Sequence, residues 1–188
     1  MHKMKSSKII FVFLILFLLN SNVLAAESKE IALGNLGAIK LVVPDGWAVN
    51  HSLLSVSAAV NTVEIKLRPP NGFPLVLVLS PLAAAKDESA AAKWMNDTVK
   101  RIHDDFIKVS VEDTLPIQNI NGPHCSAMYV SVTDRGVKNP SATDFRYGIQ
   151  GAGKIGNVVT VFTILTNSKD GKERDMALEV VRSAIHMP

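Results

Sequence analysis

Residues Leu75-Val76-Leu77-Val78-Leu79 are apolar at every position. Successive side chains on a strand point to opposite faces, so a strand with no polar face must be covered on both sides. This requirement constrains the chain more than any other feature in it. A lone helix or a one-sided sheet cannot satisfy it. Val63-Glu64-Ile65-Lys66-Leu67, by contrast, alternates apolar and charged residues, which predicts a half-exposed strand. Ile39–Val43 is a further β segment, closed by the Pro44-Asp45-Gly46 turn that leads into Trp47. Pro69-Pro70-Asn71-Gly72 is a second turn, since proline fixes φ and glycine supplies a positive φ.

Apolar spacing of three and four predicts a helix from near Asp87 to about Phe106, with Ala91, Trp94, Met95, Thr98, Ile102 and Phe106 as its buried stripe. Val109–Glu112 and Cys125–Val132 read as extended, and Asn119–Pro123 as a loop between β segments. Arg135–Ser141 reads as a longer exposed loop. Asp144–Gln150 and Asn157–Leu165 read as a hairpin joined by Gly151–Gly156. A closing helix begins after Ser168-Lys169-Asp170-Gly171, where Asp170 and Glu173 have capping-box spacing, and Met176, Ala177, Val180, Val181, Ala184 and Ile185 form its stripe. Residues 26–30 are polar and read as a frayed end. Helix follows strand only twice, so a regular β-α-β repeat is absent. The expectation is α+β, a mainly antiparallel sheet flanked by a helix on each face as an α/β/α sandwich.

The chain has 188 residues and a formal net charge of +3. Lys3, Lys5 and Lys8 account for that surplus, and all 17 acidic residues follow Leu19. The basic balance therefore belongs to an N-terminal segment and does not describe a nucleic-acid-binding face. The three lysines precede an apolar run, Ile9–Leu19, of signal-peptide length and shorter than the roughly 20 residues of a spanning helix. Val23-Leu24-Ala25 fits a cleavage pattern, which makes residues 1–25 a signal peptide and residues 26–188 a single domain of 163 residues. No cysteine precedes Cys125, so the cut offers no thiol for a lipid, and stable membrane insertion after cleavage is not expected. The one cysteine excludes an internal disulfide. The expected compartment is periplasmic or secreted.

Chemistry-bearing motifs are few. Gly151-x-Gly153-x-x-Gly156 matches the dinucleotide fingerprint as a pattern, but that chemistry needs a helix next. Asn157-Val158-Val159-Thr160-Val161 favours a strand instead, and the glycines read as turn residues. His124 beside Cys125 suggests a thiolate–imidazolium pair, yet neighbours on a strand diverge, and a lone cysteine in an apolar strand is usually a core residue. His2, His51, His103, His124 and His186 form no metal-ligand spacing, and Asp104-Asp105 diverge on a helix. Trp47 is expected to pack on the end of the sheet, and the Arg135–Asp144 loop is a mixed-charge surface open to a partner. The sequence designates no catalytic residue, no metal ligand and no cofactor-binding residue.

Several features together resemble the PsbP-like family. They are an early strand running into Val43-Pro44-Asp45-Gly46-Trp47, the helix after Leu75–Leu79, a β-meander from Val109 to Leu165, and a final helix after Asp170-Gly171 that ends Val181-Arg182-Ser183-Ala184-Ile185. Members of that family include extrinsic subunits of photosystem II, exported bacterial proteins and a nuclear-import factor that binds a Ran-type GTPase. The resemblance implies an antiparallel sheet between helices and a non-enzymatic binding or assembly role. The resulting expectation is an exported, non-catalytic module of the bacterial cell envelope that engages an envelope protein or a small ligand. The alternative is a small-molecule hydrolase or thiol enzyme using Cys125.

Overall fold

A computed structural model describes residues 26–188 apart from 58–59, 71 and 142–143. The leader assigned to residues 1–25 lies outside the described residues. The chain opens with strands β1 (Ala26–Ala32) and β2 (Ala38–Pro44), joined by a short 3-10 turn at Gly34–Leu36. Strands β3 (Ala48–Ser57), β4 (Val60–Arg68) and β5 (Leu75–Ala84) follow as a meander. Helix α1 (Glu88–Val109) leads to β6 (Gln118–Asn121), β7 (Cys125–Thr133), β8 (Tyr147–Ile155) and β9 (Val158–Thr166). Helix α2 (Lys172–Ser183) and the short strand β10 (Ile185–Met187) close the chain.

These elements make a mixed α+β protein with two antiparallel sheets. The larger has seven strands in the order β3-β4-β5-β9-β8-β7-β6, and the smaller has the order β1-β2-β10. Two sequential meanders, β3 to β5 and β6 to β9, are therefore fused by the non-local pairing of β5 with β9, from Leu75 opposite Thr166 to Ala84 opposite Val158. In β5, Leu75, Leu77 and Leu79 are buried on one face, and on the other Val76 is buried and Val78 half-buried, so both parities of the apolar run are covered at least in part. In β4, Val63, Ile65 and Leu67 are buried and alternate with more exposed Glu64, Lys66 and Arg68, as the pattern requires.

The main core joins Leu41 and Val43 of the smaller sheet, Leu77, Phe162 and Ile164 of the larger one, and Ala177, Val180 and Val181 of α2. Helix α2 touches β2 as well as β5, β6, β7 and β9, so it ties the two sheets together. Helix α1 packs on β7 and β8, and its buried Ala91, Met95, Val99 and Ile102 lie outside that cluster. It starts at Asp87, whose side chain accepts the Ala90 N–H at 2.7 Å. That cap is worth about 1 kcal/mol. Trp94 and Phe106 are only half-buried, and Val99 takes the central place in the stripe.

Five expectations are corrected. Residues 26–30 are paired, since β1 runs antiparallel to β2 from Ala26 opposite Pro44 to Ala32 opposite Ala38. A ladder needs main-chain groups, not apolar side chains, so polar composition hid it. Asn119–Pro123 is partly a strand, because β6 pairs with β7 from Gln118 to Asn121. Val109–Glu112 is not a strand. The helix continues through Val109, and only Ser110 bridges to Asp134. Gly151 and Gly153 lie inside β8, while the turn between β8 and β9 is Gly156-Asn157 alone, with Gly156 at φ 58. Finally, the cap position of α2 is Gly171, with no side-chain cap, and Asp170 instead receives a hydrogen bond from Arg174 at 3.2 Å.

Candidate functional site

The residues flagged for chemistry in the sequence do not converge. Cys125 is buried at the start of β7 while His124 is exposed, so the two point apart. Burial pushes the Cys125 thiol up to about 11, which keeps it protonated and non-nucleophilic near neutral pH. His51 is exposed on β3, and His103 lies on α1 with Nδ1 3.3 Å from Asp104 Oδ1. His186 Nε2–H donates to the Leu36 carbonyl at 2.6 Å and so fastens the C-terminal strand to the first loop. Asp105 pairs with Lys108 at 2.8 Å, which separates its role from that of Asp104. Among the described residues, no group of three His, Cys, Asp or Glu side chains could hold a metal ion.

The loop after β7 is tied inward. Arg135 donates to the Ser110 carbonyl at 2.6 Å, and Asn167 Nδ2 donates to the carbonyls of Ser141 and Asp144 at 3.1 and 3.0 Å. These bonds tie the loop to the end of α1 and to the residue after β9, while Arg135 stays exposed.

Beside this loop sits a network that nothing in the sequence announced. Glu112 accepts from Ser110 Oγ at 2.6 Å, from Thr133 Oγ1 at 2.5 Å and from the Thr133 N–H at 2.9 Å. Burial opposes ionisation of Glu112, but these hydrogen bonds outweigh it and pull the carboxyl down from 4.5 to about 2. A folded-state value below the unfolded one means that the stabilisation is complete above about 4.5 and is lost as pH falls towards 2. Partial solvent screening leaves a contribution of about 1–2 kcal/mol. Glu112→Gln is therefore expected to lower the urea midpoint at pH 7, and the gap to the native protein should narrow to about a quarter by pH 2.5. A gap of equal size at both pH values would show that the charge is irrelevant.

Two features face outwards. The first is a cavity of about 370 Å³. Three segments build it: the Asp45–Trp47 turn, the Pro69-Pro70 and Phe73 stretch, and the first turn of α2 with Lys172, Glu173 and Met176. The Trp47 N–H donates to the Pro44 carbonyl at 3.2 Å across Gly46, whose φ of 78 only glycine adopts readily. Trp47 is 6% exposed, so it does pack on the sheet as expected, and its remaining edge lines the cavity.

The second is the outer strand of the larger sheet. Strand β3 is ten residues long and carries no Asp, Glu, Lys, Arg or Pro. Its pairing with β4 continues to Ser57 and Val60, beyond the last β4–β5 pair at Ile65 and Leu79. Leu53 on this strand is 75% exposed. The other edges are guarded in the usual ways: β6 and β10 are short, and β1 carries Glu27, Lys29 and Glu30.

Fold and site define a mixed α+β protein with an open edge strand and an aromatic cavity. No protein-family model matches the chain, and a search of the curated proteins likewise finds no match. Among the described residues, no helix is long and apolar enough to cross a membrane.

Proposed function

We propose that this chain is an exported, non-catalytic binding or assembly module of the bacterial cell envelope, with a PsbP-like fold. In this reading residues 1–25 are a signal peptide, and α1 and α2 flank opposite faces of the larger sheet. Supporting the layered arrangement, Val130, Val132 and Ala152 are buried but lie outside the core cluster that α2 joins. The observation that carries the binding role is β3, a long, uncharged strand that among the described residues stands at the edge of the sheet, where its outer main-chain groups fit a partner's strand. An envelope protein that adds a strand there is the expected partner.

The test is affinity capture from a native envelope extract with the full chain as bait, beside a Leu53→Lys variant. Leu53 is exposed, so lysine leaves the fold intact while guarding the edge. Native bait should retain a discrete envelope protein, and the variant should lose about fivefold of it, as a penalty near 1 kcal/mol implies. Equal retention by both baits would remove the edge from the reading. A cytoplasmic protein that keeps its leader would remove export.

A further inference from the structure

The Trp47 cavity, at the start of β3, is lined by none of that strand's own residues, and we infer that it is a binding site for a small apolar amine, a ligand with an aromatic or aliphatic body and one positive charge. Its volume of about 370 Å³ falls in the range of small-molecule sites, about 300–1,000 Å³. Trp47, Phe73, Pro69, Pro70 and Met176 supply the apolar wall. The methionine thioether adapts to irregular shapes.

The charges at the mouth decide the sign of the ligand. Asp45 and Glu173 contribute two carboxylates and Lys172 one ammonium. None of the three has a hydrogen-bond or ion-pair partner among the described residues. The side chains at the mouth therefore carry one more negative than positive charge. An apolar amine answers both demands at once, by ring or chain burial and by pairing its ammonium with a carboxylate.

Two features hold the walls near one another. The two turns lie side by side: a methyl group added at Gly46 would reach Pro70 Cγ at 3.5 Å, ordinary van der Waals contact. A main-chain bond from the Phe73 N–H to the Pro70 carbonyl, at 3.4 Å, closes the second turn. Prolines at two adjacent positions stiffen it further. Walls held in this way lower the ordering cost of binding.

The chain has two tryptophans, so a Trp94→Phe background makes Trp47 the sole indole reporter. Calorimetry on the native chain provides a second reading free of substitutions. The probes are phenethylamine, phenylacetate and ethylamine, which separate ring from charge. Phenethylamine should shift Trp47 emission and bind with a dissociation constant near millimolar, about tenfold tighter than phenylacetate. Ethylamine should not register. Asp45→Asn combined with Glu173→Gln should erase the preference for the amine while ring binding persists. Equal or tighter binding of phenylacetate would overturn the inference, as would a preference that survives the double substitution. Failure of every ring compound in both readouts would remove the site altogether.

Discussion

Phe162→Ala is expected to destabilise the fold by about 4 kcal/mol, near the upper end for a core phenylalanine. Phe162 is 1% exposed on β9, the strand that fuses the two meanders. It lies opposite Leu79 on one side and Gly151 on the other. Its ring meets Tyr129 with centroids 6.4 Å apart and planes tilted by 59°, which adds an aromatic contact to the buried area. Neighbours on three strands frame the void that alanine would leave, and hydrogen-bonded strands cannot slide inward to fill it. Equilibrium urea unfolding should show a much lower midpoint with an unchanged slope. Phe162→Leu should recover more than half of the loss. A cost below about 2 kcal/mol for the alanine variant would mean that the sheet can close around the site.

The contrast between what the sequence disclosed and what it hid has a physical basis. Leu75–Leu79, Val63–Leu67 and Cys125–Val132 were legible because burial there is written in side chains, and burial is the quantity that apolar patterning records. The α1 stripe was legible for the same reason. Strands β1, β6 and β10 were not, because main-chain pairing holds them and Glu27, Gln118 and His186 carry no strand signal. Strand β3 escaped notice too, although its lack of charge is what makes it a candidate surface. Trp47 was correctly expected to pack, but its cavity needs Lys172 and Met176, more than a hundred residues away, and no local pattern encodes that meeting. Glu112 depends on Thr133 in the same way. The spacing of Asp170 and Glu173 was suggestive but off by one residue, since Gly171 occupies the cap.

Gly151 shows how one residue type carries two physical meanings, and its substitution tests which applies. In a turn, glycine is needed for its backbone. Within a strand it normally weakens the fold by about 0.5–1 kcal/mol relative to alanine. Gly151 belongs to β8 and is not among the glycines with positive φ, so its backbone would accept alanine. The obstacle is space: a methyl group there would fall 2.5 Å from Phe162 Cζ and also collide with the Met128 carbonyl. Overpacking should override the propensity gain, so Gly151→Ala is expected to cost about 3 kcal/mol. Gly148→Ala in the same strand is the control, because its methyl would meet Val132 Cγ1 at 3.2 Å and Leu165 Cδ2 at 3.8 Å, side-chain ends that can give way. It should cost under about 1 kcal/mol. Combining Gly151→Ala with Phe162→Leu removes the ring clash but leaves the carbonyl one. The double variant should therefore lose less than the two single losses added together, with a coupling of about 1 kcal/mol in unfolding free energy. Additive losses, or a Gly151→Ala protein as stable as the native one, would show that β8 needs glycine for some reason other than room for Phe162.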